Sequence, residues 1–246
     1  MRRVAHARGV LFLKHDHWIV HDVVRSQGPH RYDLWFHLDS GVDADLQSRE
    51  GATKVQATAG LYGLEIASFG RNSSWQREEG SVSHCYAQGA VAPVYVFSTP
   101  ASNDEDFLTF LLPERSRGVR EVEAIGGRAF EIAGEGAHDI LMIKTGKRAE
   151  MARLASDFDW TWARFAAEGA TVPEELVLIG GQWLELGGRE VLRSGRRINY
   201  LVASRIGDQF RIETDDGVLQ LHLPISDFES ALLSAKGEEP RAKGKG

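Results

Sequence analysis

Cysteine is almost missing from this 246-residue sequence: Cys85 stands alone, which excludes an intrachain disulfide and any zinc site built on a cysteine pair. Nowhere does an apolar run approach the roughly 18 residues that a membrane-spanning helix requires. A basic surplus is missing too. Lys and Arg number 29 against 35 Asp and Glu, a formal charge of -6, and nucleic-acid binding depends on basic patches that displace counterions. There is no Gly-rich phosphate loop between a strand and a helix, and no Gly-x-Ser-x-Gly, so nucleotide and serine-hydrolase chemistry lack support. Helical periodicity is scarce. Only Ile225 to Ala235 fits a short amphipathic helix, with Ser226 or Asp227 as its N-cap.

What is present is strand pattern. Short β-rich runs such as Val10 to Lys14, Trp18 to Val24, Arg31 to Leu38, Leu64 to Phe69 and Asp139 to Lys144 alternate with Gly, Asp, Asn and Ser clusters. The 26 glycines exceed the usual share of roughly 7% and suit many tight turns. The expected fold is all-β: an antiparallel, supersandwich-like β-sandwich with at most one short C-terminal helix. Turns are expected at His15-Asp16, at Gln27-Gly28-Pro29, at Gly187-Gly188 and at Asp216-Gly217. A soft boundary near Gly169 to Pro173 divides a main sandwich, residues 1–170, from C-terminal hairpins, 171–235, and a polar tail, 236–246. Met1 to Gly9 lacks the apolar stretch of a signal peptide, and a strand pattern that starts at once is expected of a domain preceded by another.

Six of the nine histidines fall within the first 37 residues. In Trp18 to Val24, alternation puts Asp22 on the same face as Trp18, Val20 and Val24. A carboxylate on an apolar face is costly unless it is paired, hydrogen-bonded or bound to metal. A loop about Gly28 to His30 would set His37 opposite Asp22, and a hairpin at His15-Asp16 would set His6 roughly 10 Å along the strand. His6, Asp22 and His37 could thus form a two-His, one-carboxylate zinc site across three neighbouring strands, although spacing alone favours the other reading. The alternative is that Asp22 takes hydrogen bonds from backbone or Arg while the histidines cap a sheet edge. His84 and Tyr86 share a face and could move protons, as could His30 and Tyr32 at the mouth of the second loop, although each is equally an ordinary sheet residue. Trp75, within the polar segment Arg71 to Glu79, is expected to be the exposed tryptophan. With Arg71 and Arg77 beside it, it could stack on a sugar and pair with carboxylate or sulfate.

The order His6-Ala-Arg-Gly-Val-Leu-Phe-Leu-Lys, Trp18-Ile-Val-His-Asp-Val-Val, His30-Arg-Tyr-Asp-Leu-Trp-Phe-His-Leu and Ser83-His-Cys-Tyr-Ala-Gln-Gly-Ala-Val-Ala-Pro-Val resembles the C-terminal domain of the heparinase II/III-like family. So does Gly127-Arg-Ala-Phe-Glu-Ile followed by His138-Asp-Ile-Leu-Met-Ile. The resemblance implies a C-terminal antiparallel sandwich that works with an N-terminal α/α toroid on an acidic polysaccharide. It further implies β-elimination of a uronic-acid-containing polymer such as heparan sulfate or alginate, in the periplasm or cell envelope. It implies zinc on His6, Asp22 and His37, and Tyr32 as the sandwich's active-site tyrosine. The family's main catalytic Tyr lies on the toroid, and a catalytic His that some members place two positions before the first ligand is Val4 here. The resemblance therefore makes these residues a sandwich portion that needs a toroid to act. A non-catalytic carbohydrate-binding or scaffold sandwich is the competing expectation.

Overall fold

A computed structural model describes residues 4–14, 16–49, 52–86, 88–113, 118–134, 136–206, 209–215 and 220–221. Among these residues every regular element is a β-strand and every pairing is antiparallel, as the alternating pattern leads one to expect. The chain forms two compact units, residues 1–117 and 118–246.

The first unit contains β1 (Val4–Phe12), β2 (Trp18–His37), β3 (Asp43–Arg49), β4 (Ala52–Ala59), β5 (Tyr62–Phe69), β6 (Ser74–Cys85) and β7 (Gln88–Leu112). They make a seven-stranded sheet in the order β1-β2-β7-β5-β4-β3, with β6 also paired to β7. Two long strands organise it. The first half of β2 and the second half of β7 pair with each other, and β5 continues that layer. The second half of β2 and the first half of β7 pair beyond a bulge at Arg25, His30 and Tyr32, and β6 extends that layer. Strands that pass between layers through bulges are one way a sheet folds over itself into a sandwich. Ala44, Val55, Ala57 and Ile66 of β3 to β5 pack against Trp75, Tyr95, Phe97 and Phe107 of β6 and β7. Tyr95 Oη donates to Ala44 O at 2.6 Å, tying the two layers. The Gln27-Gly28-Pro29 segment is thus no loop: it lies inside β2, where irregular pairing absorbs the proline's missing N–H.

The second unit contains β8 (Gly118–Val122), β9 (Gly127–Gly134), β10 (Ala137–Lys144), β11 (Ala149–Met151), β12 (Leu154–Ser156), β13 (Trp160–Phe165), β14 (Glu175–Leu186), β15 (Arg189–Ile206), β16 (Gln209–Thr214) and β17 (Gln220–Leu221). The order is β11-β12-β14-β13-β10-β9-β8, with β15 paired to β14, β16 and β17. Its core gathers Ile140, Met142, Phe158, Phe165, Leu178, Leu184 and Leu201, among others. The expected Gly187-Gly188 hairpin joins β14 to β15. Both glycines have positive φ, 57° and 78°, as a type I′ turn requires. Gly169 to Pro173 lies between β13 and β14, which pair directly from Arg164↔Glu175 onward. The Asp216-Gly217 turn, the helix expected at Ile225 to Ala235 and the 236–246 tail lie outside the described residues.

Candidate functional site

The site grows from the β1–β2 hairpin. Leu13 N donates to His17 O and Asp16 N donates to Leu13 O, both at 3.0 Å, closing the turn. That closure sets the register Phe12↔Trp18, Val10↔Val20, Arg8↔Asp22 and His6↔Val24. Directly opposed residues share a face, so the even-numbered side chains from His6 to Phe12 and from Trp18 to Val24 stand on one side of the hairpin. On β7, Phe107 lies opposite Asp22 and Glu105 opposite Val24.

Asp22 is 2% exposed, and both of its oxygens are engaged. Oδ1 is 2.6 Å from His6 Nε2 and accepts from Arg8 Nε at 2.7 Å, while Oδ2 accepts from Arg8 Nη2 at 3.0 Å. The guanidinium fork on a carboxylate is the strongest kind of side-chain pairing. Its hydrogen bond to Asp22 raises the Arg8 pKa above its ordinary value, against the opposing pull of burial. His6 and Arg8 are themselves about half exposed, at 51% and 53%. The arrangement therefore has a buried anchor and two outward groups. His6 Nδ1 and Arg8 Nη1 take no part in the bonds to Asp22, and among the described residues neither nitrogen has another hydrogen-bond partner.

Burial of Asp22 accords with the alternation of β2, but its partner is an arginine as well as an imidazole. His37 does not join it. Because β2 runs through Gly28 and Pro29, His37 sits at the far end of the strand, opposite Val94, with its ring stacked on Trp35 at 6.2 Å. Of the three residues expected to hold zinc, His6 and Asp22 converge and His37 does not. Two donors with a guanidinium forked across the carboxylate do not fit an ion that takes three or four N, O or S ligands. Arg8 could have been found from the hairpin alone, since almost any tight turn near His15-Asp16 brings residue 8 or 9 across from Asp22.

Glu105, which sequence patterning did not single out, is a second buried carboxylate on this face. Its Oε1 accepts from Arg71 N at 3.1 Å and Asp106 N at 3.3 Å, and Thr99 Oγ1 lies 3.4 Å from Oε2. It thus pins the turn after β5 to β7. On the opposite face of β2, Asp106 is 2.8 Å from His21 Nε2 and accepts from Arg25 Nη2 at 3.2 Å. Partial burial pushes the Asp106 pKa up, but the hydrogen bond and charge of His21, then Arg25, hold it below the usual carboxylate range.

Tyr32 lies beyond the bulge, opposite Thr99. It is half-buried against the first unit's core, and its hydroxyl donates to Asn103 O at 3.2 Å. Trp75 is a correction. The polar residues around it suggest exposure, yet it is the buried position of β6, with its ring 5.0 Å from Phe97 and 5.3 Å from Phe36. On β6 Trp75 packs into the core, while Gln76, Arg77 and Glu78 stay exposed. Arg71 and Arg77 are exposed. His84 is exposed and 2.9 Å from Asp39.

Residues 2–101 match the family described as Heparinase II/III-like, C-terminal. The match takes in β1 to β6 and the first half of β7, and so contains His6, Arg8 and Asp22. No curated protein matches the chain significantly.

Proposed function

We propose, from the match of residues 2–101 to the heparinase II/III-like C-terminal family, that this chain is the sandwich portion of a polysaccharide lyase. It cleaves a uronic-acid-containing polysaccharide, heparan sulfate-like or alginate-like, by β-elimination, and it does so together with a helical toroid domain. A cell-envelope or periplasmic setting, where such polymers are met, belongs to the same proposal.

One observation carries the chemical reading: buried Asp22 holds a half-exposed His6 and a half-exposed Arg8 side by side. In β-elimination a base removes the C5 proton and the C5–H electron pair becomes the C4=C5 double bond. The C4–O bond breaks, and an acid protonates the departing oxygen. The C5 proton is acidic only if the adjacent carboxylate is neutralised. Arg8 Nη1 is proposed to supply that neutralisation, with Arg8 held in place by its fork on Asp22. In the tautomer that donates Nε2–H to Asp22, His6 presents Nδ1 as the proton acceptor. Tyr32, whose hydroxyl is donated to Asn103 O, is given no part in this step. No step passes through zinc, because His37 stands away from His6 and Asp22 and Arg8 is forked across the Asp22 carboxylate. Arg71 and Arg77 remain exposed to sulfate or carboxylate. A purely binding sandwich is the less supported reading, since Trp75, its proposed stacking residue, is core.

The test incubates the full chain with alginate, heparan sulfate and hyaluronan, with and without a helical toroid domain, while following unsaturated uronate absorbance. Product is expected when the toroid is supplied, and a His6→Gln chain should make far less. Absence of product from every polymer and combination would overturn the lyase reading.

A further inference from the structure

The hairpin face that carries His6 and Arg8 continues into something the reaction does not use. Phe12 and Trp18, direct cross-strand partners, stack with ring centroids 5.0 Å apart and planes 7° apart. They are 50% and 37% exposed, and Val10 beside them is 58% exposed. Parallel aromatic rings held at this distance gain from stacking on each other. Leaving a third or more of their surface in water nevertheless costs burial that a monomer ordinarily makes. Four cross-strand pairs therefore follow one another on one face: Phe12 with Trp18, Val10 with Val20, Arg8 with Asp22, and His6 with Val24. The first two are apolar, and the last two present Arg8 Nη1 and His6 Nδ1, which have no partner among the described residues. From Phe12 to Arg8 the strand advances roughly 13 Å, a length that a short oligosaccharide spans.

We propose that this face is a binding subsite for an acidic saccharide. The Phe12–Trp18 pair packs against the apolar C–H face of one pyranose, and Arg8 Nη1 donates to the carboxylate of a sugar further along the chain. A neutral apolar partner would leave Arg8 Nη1 without an acceptor, whereas a uronate chain supplies both a C–H face and an anion at that spacing. The proposal rests on the reading above for its substrate class. Its residues Phe12 and Trp18 stand outside the proton-transfer groups.

Calorimetric titration of the full chain with alginate-derived and heparan sulfate-derived oligosaccharides, and with a neutral cello-oligosaccharide as control, tests it without any need for turnover. Binding of at least one acidic oligosaccharide is expected, with the neutral one weaker. Phe12→Ala and Trp18→Ala remove exposed side chains, so both should fold, as circular dichroism will check. Each should weaken acidic binding by about tenfold, the scale of an aromatic contact. Arg8→Lys keeps the charge but loses the fork, and should weaken acidic ligands while sparing the neutral one. The idea fails if no acidic oligosaccharide binds, or if the Phe12→Ala/Trp18→Ala double variant binds as the parent does. It also fails if the parent is a dimer in solution that the double variant dissolves, which would assign the rings to a second copy. Binding without product in the presence of a toroid leaves the subsite standing and sinks the lyase reading. Product formation with an unchanged KM in the double variant does the reverse.

Discussion

Replacing Arg8 by Gln isolates the electrostatics of the hairpin. Asp22 is 2% exposed and would keep one partner, His6, while losing the two Arg8 bonds at 2.7 and 3.0 Å. Hydrogen bonds to charged groups contribute about 1.5–3 kcal/mol each, and removing one partner of a fully buried pair costs about 3–5 kcal/mol. Arg8 is 53% exposed, so water can enter its place and solvent already screens part of the interaction. The lower part of that range applies, about 2–3 kcal/mol. For a unit the size of residues 1–117, this corresponds to a fall in Tm of roughly 8–12 °C. Asp22→Asn should cost less, about 1 kcal/mol, because the arginine it releases is already half in water. Scanning calorimetry, analysed as separate transitions for the two units, provides the measurement, with a chelator added in parallel. If Asp22 is neutralised by Arg8, chelation leaves the wild-type transition in place. An Arg8→Gln protein that melts with the parent, or a wild type that chelator alone destabilises, would falsify the assignment.

Two more expectations concern the first unit. Trp75→Ala empties a core position between Phe36 and Phe97 and should cost about 3–5 kcal/mol; a urea midpoint near that of the parent would show that the ring is not core. Asp106 has a folded-state pKa below its ordinary value, so its contribution is fully present above about pH 4 and is lost as pH falls through the lower folded value. His21→Phe removes a main cause of that depression and should flatten the stability loss on this acid limb. An unchanged slope between about pH 4 and 2 would contradict the pairing.

Asp22 illustrates how far pattern reading reaches. Period-two alternation of Trp18, Val20 and Val24 placed its carboxylate on an apolar face, and the same reasoning left open whether metal or arginine neutralised it. The choice depended on register, because a shift of one residue sends every side chain to the other face. The turn from Leu13 to His17 pairs Arg8 with Asp22. Trp75 shows the opposite failure. Its neighbours in sequence are polar, but its neighbours across the strands are Phe97 and Phe36, and only the placement of β6 over the core reveals them.

By itself the sequence determined an antiparallel all-β chain, the Gly187-Gly188 hairpin and the burial of Asp22. All three follow from local rules: side-chain period, the φ freedom of glycine, and the cost of an unsatisfied charge. Tertiary structure alone decided that β2 passes through Gly28 and Pro29 without turning. A long partner strand, β7, offers pairing on both sides of the bulge, and those hydrogen bonds outweigh the local preference for a loop. That continuity carries His37 away from Asp22 and leaves the site to His6 and Arg8.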